Sequence, residues 1–256
     1  MESICKFETK QAYEDYVNVV DMLGHVISED KVYLKLGRYY SFCIHAEFTV
    51  PTKKDVQLLG AGSTYGADLT KFAKIKITNL DTEESRVINP TKVVNFEAGN
   101  YKVDYGIWID DNRETYTTPN FTFKSCPEVT YIQVDPIVTQ LTNMFAADCA
   151  NLTGMMFGDP DQYPEGECVF NQPYSHNDVI INSHISFVGN SNGFLRRCPK
   201  IGNMYIADGV TNFVGCYGTH DSAMGNAYAG FPTNNFSDVK TEIYLGKDVQ
   251  DVQFRA

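Results

Sequence analysis

Apolar and polar positions alternate with a period of two over much of the first half of the chain. The clearest run places tyrosine, valine, tyrosine and isoleucine at alternate positions of 101–107. Such alternation is typical of a strand that buries one face. Together with the turn-forming residues between the runs, it predicts strands at 44–50, 56–60, 72–78, 85–88, 100–109 and 120–123. Strands of this length and spacing predict one small β-sandwich over residues 44–127, with Trp108 in its core.

The first 43 residues have a different pattern, which indicates a separate unit. Tyr13, Val17 and Val20 have helical spacing after a candidate N-cap at Thr9, which predicts a helix over residues 10–20. Two short apolar runs, at 25–27 and 31–34, predict two short strands around a polar turn. The sequence therefore predicts an N-terminal α/β unit over residues 1–43.

An internal repeat is the strongest signal in the remaining residues, 128–256. A Phe-x3-Cys-x2-Leu-x2-Met-x-Phe pattern begins at Phe145 and returns, with conservative changes, at Phe194. A third copy keeps only its apolar pair, 39 residues after the pair of the second copy. Units of this kind cannot bury their own apolar face, so we expect them to stack. The predicted repeat core consists of Phe145, Cys149, Leu152, Met155, Phe194, Cys198, Ile201, Met204, Ile206, Ile243 and Leu245.

The repeat spacing also predicts the local structure of each unit. The Phe-x3-Cys residues are expected on one helical face, and the apolar pair that follows is expected to be a short strand. The segments 158–183 and 217–238 are rich in Gly, Asn, Asp, Pro and Tyr and are predicted to be loops on one side of the stack. Their aromatic residues either anchor these loops or contact a glycan or a protein. The candidate recognition residues are Tyr174, Tyr217, Tyr228 and Phe231.

Charge and composition argue against several classes of function. The formal charge of −11 and the pI near 4.8 argue against nucleic acid as a partner, because phosphate binding needs a basic patch. No apolar segment follows Met1 and no run is long enough to cross a membrane, so we expect neither secretion nor membrane insertion. The seven cysteines show no Cys-x-x-Cys spacing and are expected to be reduced and buried.

Four segments contain residue types that carry chemistry in other proteins, but none has the required spacing. Residues 220–222 are His, Asp and Ser, which as neighbours cannot form a triad. Cys168, His176 and His184 do not have the spacing of a zinc knuckle. The carboxylates of 159–167 do not match an EF-hand loop, although calcium there stays an open alternative. The glycine-rich segment 60–66 lacks the end of a phosphate-binding loop. We therefore expect no catalytic residue, metal site or cofactor, and predict that the chain is not an enzyme.

The repeats resemble BspA-type leucine-rich repeats, whose units read roughly F-x3-C-x2-L-x2-I-x-I-P. The resemblance covers 128–157 and 184–256, and the third copy departs from it because Lys240 stands where leucine is expected. Residues 98–103 are similar to the tyrosine corner of an immunoglobulin domain, with Val103 where a disulfide-bonded domain has cysteine. These resemblances imply a mainly β protein in which an immunoglobulin-like sandwich precedes an irregular leucine-rich-repeat domain.

The N-terminal residues carry a further resemblance. The segments 6–13 and 25–34 are similar to the short head, F-x-x-K-x-A-Y/F … V-x-F-I-x-D, of virion proteins from crAss-like tailed phages of Bacteroidales. The similarity implies a capsid-decorating or head-fibre protein, assembled into the virion in the host cytoplasm. It also implies contacts with other capsid proteins, homo-oligomers and display of the repeats for host attachment, with a host surface glycan as a candidate partner. The alternative is a bacterial cell-surface adhesin or a glycan-binding leucine-rich-repeat protein.

Overall fold

The computed structural model describes residues 25–27, 32–34, 38–110, 116–142, 144–157, 177–181, 186–187, 195, 198, 200–207 and 243–245. In these residues the protein is mainly β, as the sequence predicts, with one short 3₁₀ helix at Leu69–Lys71. None of their helices is long and apolar enough to cross a membrane. The predicted helix at 10–20, the segments 159–167 and 220–222, the three candidate zinc ligands, Phe194 and all four candidate recognition residues lie outside the described residues.

The described strands form four sheets. Two short strands, β1 (His25–Ile27) and β2 (Val32–Leu34), pair in antiparallel fashion where the sequence predicts them. One mixed sheet has nine strands, which are β3 (Arg38–Val50), β5 (Phe72–Asn79), β6 (Ser85–Ile88), β8 (Gly99–Asp110), β10 (Tyr131–Val134), β12 (Gly154–Phe157), β13 (Val179–Ile181), β15 (Met204–Ile206) and β16 (Ile243–Leu245). The other two sheets contain β4 (Lys54–Gln57) with β7 (Val93–Phe96), and β9 (Tyr116–Thr117) with β11 (Val138–Leu141) and β14 (Ser186–Phe187).

The antiparallel half of the nine-stranded sheet has the order β10-β3-β8-β5-β6. Its long central pair, β3 and β8, stays paired over twelve residue pairs with a single bulge. Alternate residues of both strands are buried, because the period-two pattern turns one face toward the core. The β4–β7 pair packs against this core, where the ring of Phe96 lies 5.2 Å from the ring of Phe48 and 4.7 Å from that of Tyr101.

The other half of the sheet is parallel, with the order β10-β12-β13-β15-β16. Strand pairing puts Ile132, Met155, Val179, Met204 and Ile243 in one row across the five strands. Successive members of this row are 23, 24, 25 and 39 residues apart in the sequence. Because successive strands return to the same row at such intervals, the chain winds in stacked coils.

Two coils are described almost completely. We call residues 116–134 coil 1 and residues 138–157 coil 2. Coil 1 contains β9 and β10, and coil 2 contains β11 and β12. β10 pairs in parallel with β12 in the large sheet, and β9 pairs in parallel with β11 in the three-stranded sheet. Each coil therefore has one strand in each of two sheets.

One hydrophobic core runs through both halves of the molecule. A row of aromatic rings traces it from β5 to β12, with successive centroids 6.3, 5.1, 5.3 and 6.4 Å apart, in the order Phe72, Tyr105, Phe123, Phe145 and Phe157. The predicted boundary between residues 43 and 44 falls within β3, and that between 127 and 128 falls within coil 1. In the described residues, the antiparallel half and the coils therefore share one sheet and one core.

Two predictions of local structure are wrong because residues in these segments have a left-handed backbone conformation. Residues 120–123 form a turn and not a strand, since Phe121 has a φ of 60° that a strand cannot contain. The Phe-x3-Cys segment of coil 2 is likewise a turn over 144–148 and not a helical face, with φ of 47° at Met144 and 63° at Asp148.

Two further positions differ from the sequence prediction. Residues 179–181, assigned to a loop insertion, form β13 in the middle of the parallel half. Trp108, predicted to lie in the sandwich core, is only half-buried. Its ring packs against the edge of the core, 5.7 Å from the ring of Tyr40. The sequence pattern also missed β7, although burial alternates along its four residues.

Candidate functional site

The corners of the two coils have matching backbone conformations. The φ angles are 60° at Phe121 and 47° at Met144, and 60° at Ser125 and 63° at Asp148. Both pairs are separated by 23 residues, the spacing between the equivalent strands β10 and β12. A left-handed φ costs about 1–2 kcal/mol for a residue other than glycine. Contacts between the coils must therefore hold these corners in place.

Hydrogen bonds between the coils supply those contacts. The backbone N–H groups of Phe123 and Ser125 donate to the carbonyls of Phe145 and Ala147, at 2.7 and 2.8 Å. The thiol of Cys149 donates to the carbonyl of Phe123 at 3.0 Å. A small side chain is needed here, because the thiol reaches a backbone oxygen of the preceding coil.

The interior thiols are too deeply buried to act as nucleophiles. Cys126, Cys149 and Cys198 are almost completely buried, and the Cys198 thiol donates to the carbonyl of Ala146 at 3.1 Å. Burial, reinforced by the neighbouring Cys149, raises the pKa of the Cys126 and Cys198 thiols well above the usual value. A thiol that stays protonated is a weak nucleophile, so Cys126 and Cys198 contribute packing.

All predicted repeat-core residues with described side chains are buried, namely Phe145, Cys149, Leu152, Met155, Cys198, Ile201, Met204 and Ile206. Ile243 and Leu245 lie on β16, in register with the corresponding residues of β15. A copy that the sequence analysis missed lies one coil earlier and is buried as well, at Cys126, Val129, Ile132 and Val134. It has Thr122 where the copies at Phe145 and Phe194 have phenylalanine, which concealed it.

His45 connects the antiparallel half to coil 1 through two carboxylates. Its Nδ1 lies 2.7 Å from Oδ1 of Asp104 on β8, and its Nε2 lies 2.9 Å from Oδ1 of Asp135, the residue after β10. Because both ring nitrogens face carboxylate oxygens, both donate a proton, and the imidazole is charged. We call His45, Asp104 and Asp135 the clasp.

His45 and Asp104 of the clasp form a charged pair at neutral pH. The side chains of His45 and Asp104 are 13% and 11% exposed. Burial opposes the charge on His45, but the hydrogen bonds and charges of the two carboxylates outweigh it and raise the His45 pKa to about 9. Burial also opposes the charge on Asp104, yet the His45 hydrogen bond and the positive charges of Lys102, His45 and Lys76 lower its pKa. The clasp is therefore an ion-pair network between the halves of the molecule.

A groove of about 680 Å³ lies beside the clasp-bearing sheet, where the antiparallel half meets the coils. Its lining comes from the end of β8, from residues 116–121 of coil 1, from the turn at 66–71 and from Thr142 of coil 2. We call it the junction groove. Clefts of this size between structural units are where small ligands most often bind in proteins.

Local hydrogen bonds fix the walls of the junction groove. Asp68 accepts from the backbone N–H of Thr70 at 3.0 Å and from its hydroxyl at 2.7 Å, which caps the 3₁₀ helix. These bonds lower the pKa of Asp68. In the opposite wall, the Thr142 hydroxyl donates to the carbonyl of Thr118 at 2.9 Å, and the Thr142 N–H donates to the Thr118 hydroxyl at 3.1 Å. These bonds within the protein therefore hold the polar walls of the groove in place without a ligand.

The groove combines aromatic surface with balanced polar groups. Trp108, Tyr116 and Phe121 are each half-buried in its lining. Among the described lining residues, the charged groups are one carboxylate, Asp68, and one ammonium, Lys71, which balance each other. The described residues provide no hydrogen-bond partner for the exposed amide of Asn120. Such a lining suits a neutral polar molecule that has an apolar face.

Sequence reasoning had no means of finding the groove. Its lining residues come from four segments that the sequence separates by up to 76 positions, from Gly66 to Thr142. The one signal is the single Trp of the chain, which the strand pattern predicts to lie in the core. The glycine-rich segment 60–66 does contribute Gly66 to the lining, but as a turn that meets coil 1 through Gly60, whose N–H donates to the carbonyl of Thr122 at 2.8 Å.

Other chemistry is sparse in the part of the chain that the structure describes. In that part, no group of three His, Cys, Asp or Glu side chains is arranged to hold a metal ion. Comparison with known proteins gave no match to this chain, whether among family models, curated proteins or solved structures.

Proposed function

We propose that this chain is a phage virion structural protein, a capsid-decorating or head-fibre subunit that displays a recognition module. The observation that carries the proposal is the shared core, in which a row of five aromatic rings links the antiparallel half to coil 2. A subunit on a particle surface must hold its display module at a fixed orientation to the rest of the subunit. The continuous sheet and the clasp supply that rigidity, since both cross the junction.

The antiparallel half is assigned in this proposal to an immunoglobulin-like module. Its support is Tyr101, which lies near the start of β8. The hydroxyl of Tyr101 donates to the carbonyl of Glu97, four residues upstream, at 3.2 Å. A tyrosine near the start of the F strand makes this kind of bond in immunoglobulin domains. The buried Val103 follows two residues later, at the position of the second cysteine of such domains.

The parallel half is assigned to irregular leucine-rich repeats of the BspA type. Its support is the interval of 23 to 25 residues between equivalent strands, which lies within the usual range of about 20–29 residues for such repeats. The buried cysteine in three copies, Cys126, Cys149 and Cys198, agrees with the same pattern. Outside the large sheet, coils 1 and 2 each have a short strand and turns in place of a helix, which makes these repeats irregular.

A deletion of the N-terminal unit tests the attachment role. It must end before Arg38, because β3 begins there and Tyr40 and Cys43 are fully buried in the core. We expect the chain that starts at residue 38 to fold and to be missing from particles assembled in its presence. The matched control is the full chain with Asn95→Ala, an exposed position of β7, which should be incorporated normally. Normal incorporation of the shortened chain would overturn the attachment role.

A bacterial cell-surface adhesin is the second candidate, and the junction groove favours it because an adhesin needs a ligand site. Cell fractionation separates the two functions. The virion role places the chain in density-purified particles, whereas the adhesin role places it on the surface of uninfected cells, where protease added outside should digest it.

A further inference from the structure

We propose that the junction groove is a binding site for a neutral oligosaccharide. The inference goes beyond the structural role in the virion and holds for a subunit of a particle or of a cell surface alike. It assigns recognition to residues at the junction of the two halves, which are different residues from the loop aromatics that the sequence singled out.

Aromatic surface is the first argument. A pyranose ring has a face of C–H groups that packs on an aromatic ring and an edge of hydroxyls that needs hydrogen bonds. Trp108 and Tyr116 line the groove from two different elements, β8 and β9, and both are half-buried. Aromatic rings supply a large contact area at a low cost in side-chain entropy.

The polar groups are the second argument. The amide of Asn120, the ammonium of Lys71 and the carboxylate of Asp68 offer donors and acceptors around the aromatic surface. The described lining residues supply one positive and one negative charge and no cluster of cations, which an anionic ligand would need. A ligand with many hydroxyls and no charge matches this set better than a phosphate, a nucleotide or an acidic peptide.

Preorganisation is the third argument. The Thr118–Thr142 bonds and the Asp68 cap hold the polar walls before a ligand arrives. A preformed site avoids much of the ordering cost that weakens binding. The volume of about 680 Å³ accommodates a short oligosaccharide rather than a single small ion.

Trp108 is the only tryptophan of the chain, so its fluorescence reports directly on the groove. The purified full chain is first screened on an array of neutral hexose and N-acetylhexosamine oligosaccharides, with sialylated and sulfated oligosaccharides as comparison. Bound compounds are then titrated while Trp108 emission is recorded. We expect a saturable change in emission with a neutral oligosaccharide and protection of Trp108 from acrylamide quenching.

Two variants locate the site. Asn120→Ala removes an exposed amide and Tyr116→Ala removes an aromatic wall, and each should weaken binding at least about tenfold, the effect of losing roughly 1.4 kcal/mol of contact energy. Asn95→Ala, an exposed amide on β7 away from the groove, is the matched control and should bind like the unchanged protein. Asn120→Ala keeps the test valid even if Tyr116→Ala fails to fold.

Three results would overturn the proposal: no saturable change with any neutral oligosaccharide, binding confined to the sialylated or sulfated compounds, or unchanged affinity in Asn120→Ala. All measurements use the free protein, so they do not depend on particle incorporation. Failure of the saccharide site therefore leaves the virion role intact, and failure of incorporation leaves the saccharide site intact.

Discussion

The Nε2 atom of His45 lies 2.9 Å from Oδ1 of Asp135, and this contact ties the central strand of the antiparallel half to the end of β10 in coil 1. The same imidazole is bound on its other side by Asp104 at 2.7 Å. The histidine can donate to both carboxylates only while both of its ring nitrogens carry a proton. The contact between the two halves of the molecule is therefore sensitive to pH.

Replacing His45 by Gln tests this sensitivity. The pKa of His45 is about 9 in the folded protein and near 6.5 in the unfolded chain, so its contribution is complete below pH 6.5 and is lost as the pH rises through 9. We expect His45→Gln to lower the free energy of unfolding by about 3 kcal/mol near pH 6, and by much less above pH 9. Urea unfolding at several pH values measures the difference.

The control for this prediction is Lys53→Gln, which removes an ion pair with Glu97 whose side chains are 61% and 68% exposed. Exposed pairs contribute little to stability, so we expect no measurable change. A difference between His45→Gln and the unchanged protein that stays constant from pH 6 to pH 9.5 would contradict the charged state of the clasp.

Two tyrosines of β8 differ in what their hydroxyls contact. The hydroxyl of Tyr105 donates to the carbonyl of Leu58 at 2.8 Å in the buried core, and that of Tyr101 donates to Glu97 at 3.2 Å in a partly buried site. We expect Tyr105→Phe to lower the free energy of unfolding by about 1–2 kcal/mol, because a buried carbonyl loses its donor. Tyr101→Phe should cost less, about 0.5–1 kcal/mol. Chemical denaturation measures both, and the opposite order would contradict the burial of Tyr105.

Gly202 is a close-contact position in the parallel half. Its N–H donates to the carbonyls of Thr153 and Asn177 at 3.0 and 2.9 Å, and a Cβ at this position would lie 2.2 Å from the Asn177 oxygen. Gly202→Ala should therefore push the strands β13 and β15 apart and destabilise the protein by about 1–3 kcal/mol. Thermal unfolding measures the loss.

The nearby Lys200→Ala provides the control for Gly202. Its ammonium is exposed and donates to the side-chain oxygen of Asn151, so its removal should leave the midpoint almost unchanged. Equal stability of Gly202→Ala and the unchanged protein would show that β13 and β15 are not neighbours.

Buried thiols should be protected from reagents in the folded state. Burial raises the pKa of Cys43, Cys126 and Cys198, and Cys149 is likewise inaccessible. We expect iodoacetamide to leave these four residues unmodified in native protein and to modify them all in urea. Peptide mass spectrometry assigns the labels residue by residue. Rapid native labelling of Cys149 would contradict a packed interior between coils 1 and 2.

The sequence predicted the antiparallel strands well, because their burial follows the period of two. In β8 the buried Val103, Tyr105 and Ile107 recur at alternate positions, as the pattern indicates. The pattern gave no warning at 120–123, where apolar residues look like a strand but Phe121 has a left-handed φ. Burial and backbone conformation are separate properties, and periodicity reports only the first.

The coils could be predicted only in part. The aligned pairs of β15 and β16 are neighbours in the sheet, with the 39-residue offset that the sequence suggested. The copy in coil 1 escaped because Thr122 fills the aromatic position, and its hydroxyl is satisfied by the carbonyl of Pro119 at 2.7 Å. A buried threonine with a local partner packs like an apolar residue, although its side chain counts as polar in a sequence pattern.

The clasp and the junction groove could not be predicted from the sequence at all. His45 and Asp135 are 90 positions apart, and neither belongs to a recognisable motif. The groove lining likewise depends on how β8 is placed against coil 1. Sites of this kind result from tertiary packing between segments that are distant in the sequence, so a single sequence without an alignment carries no local signal for them.

Quantitative mass spectrometry of density-purified particles of the phage that encodes this chain tests the central claim most directly. The account predicts peptides from the whole chain at a fixed ratio to the major capsid protein, with the shortened chain that begins at residue 38 missing from the same fraction. Recovery of the full chain only in host-cell fractions, with none of its peptides in the particles, would contradict the virion role.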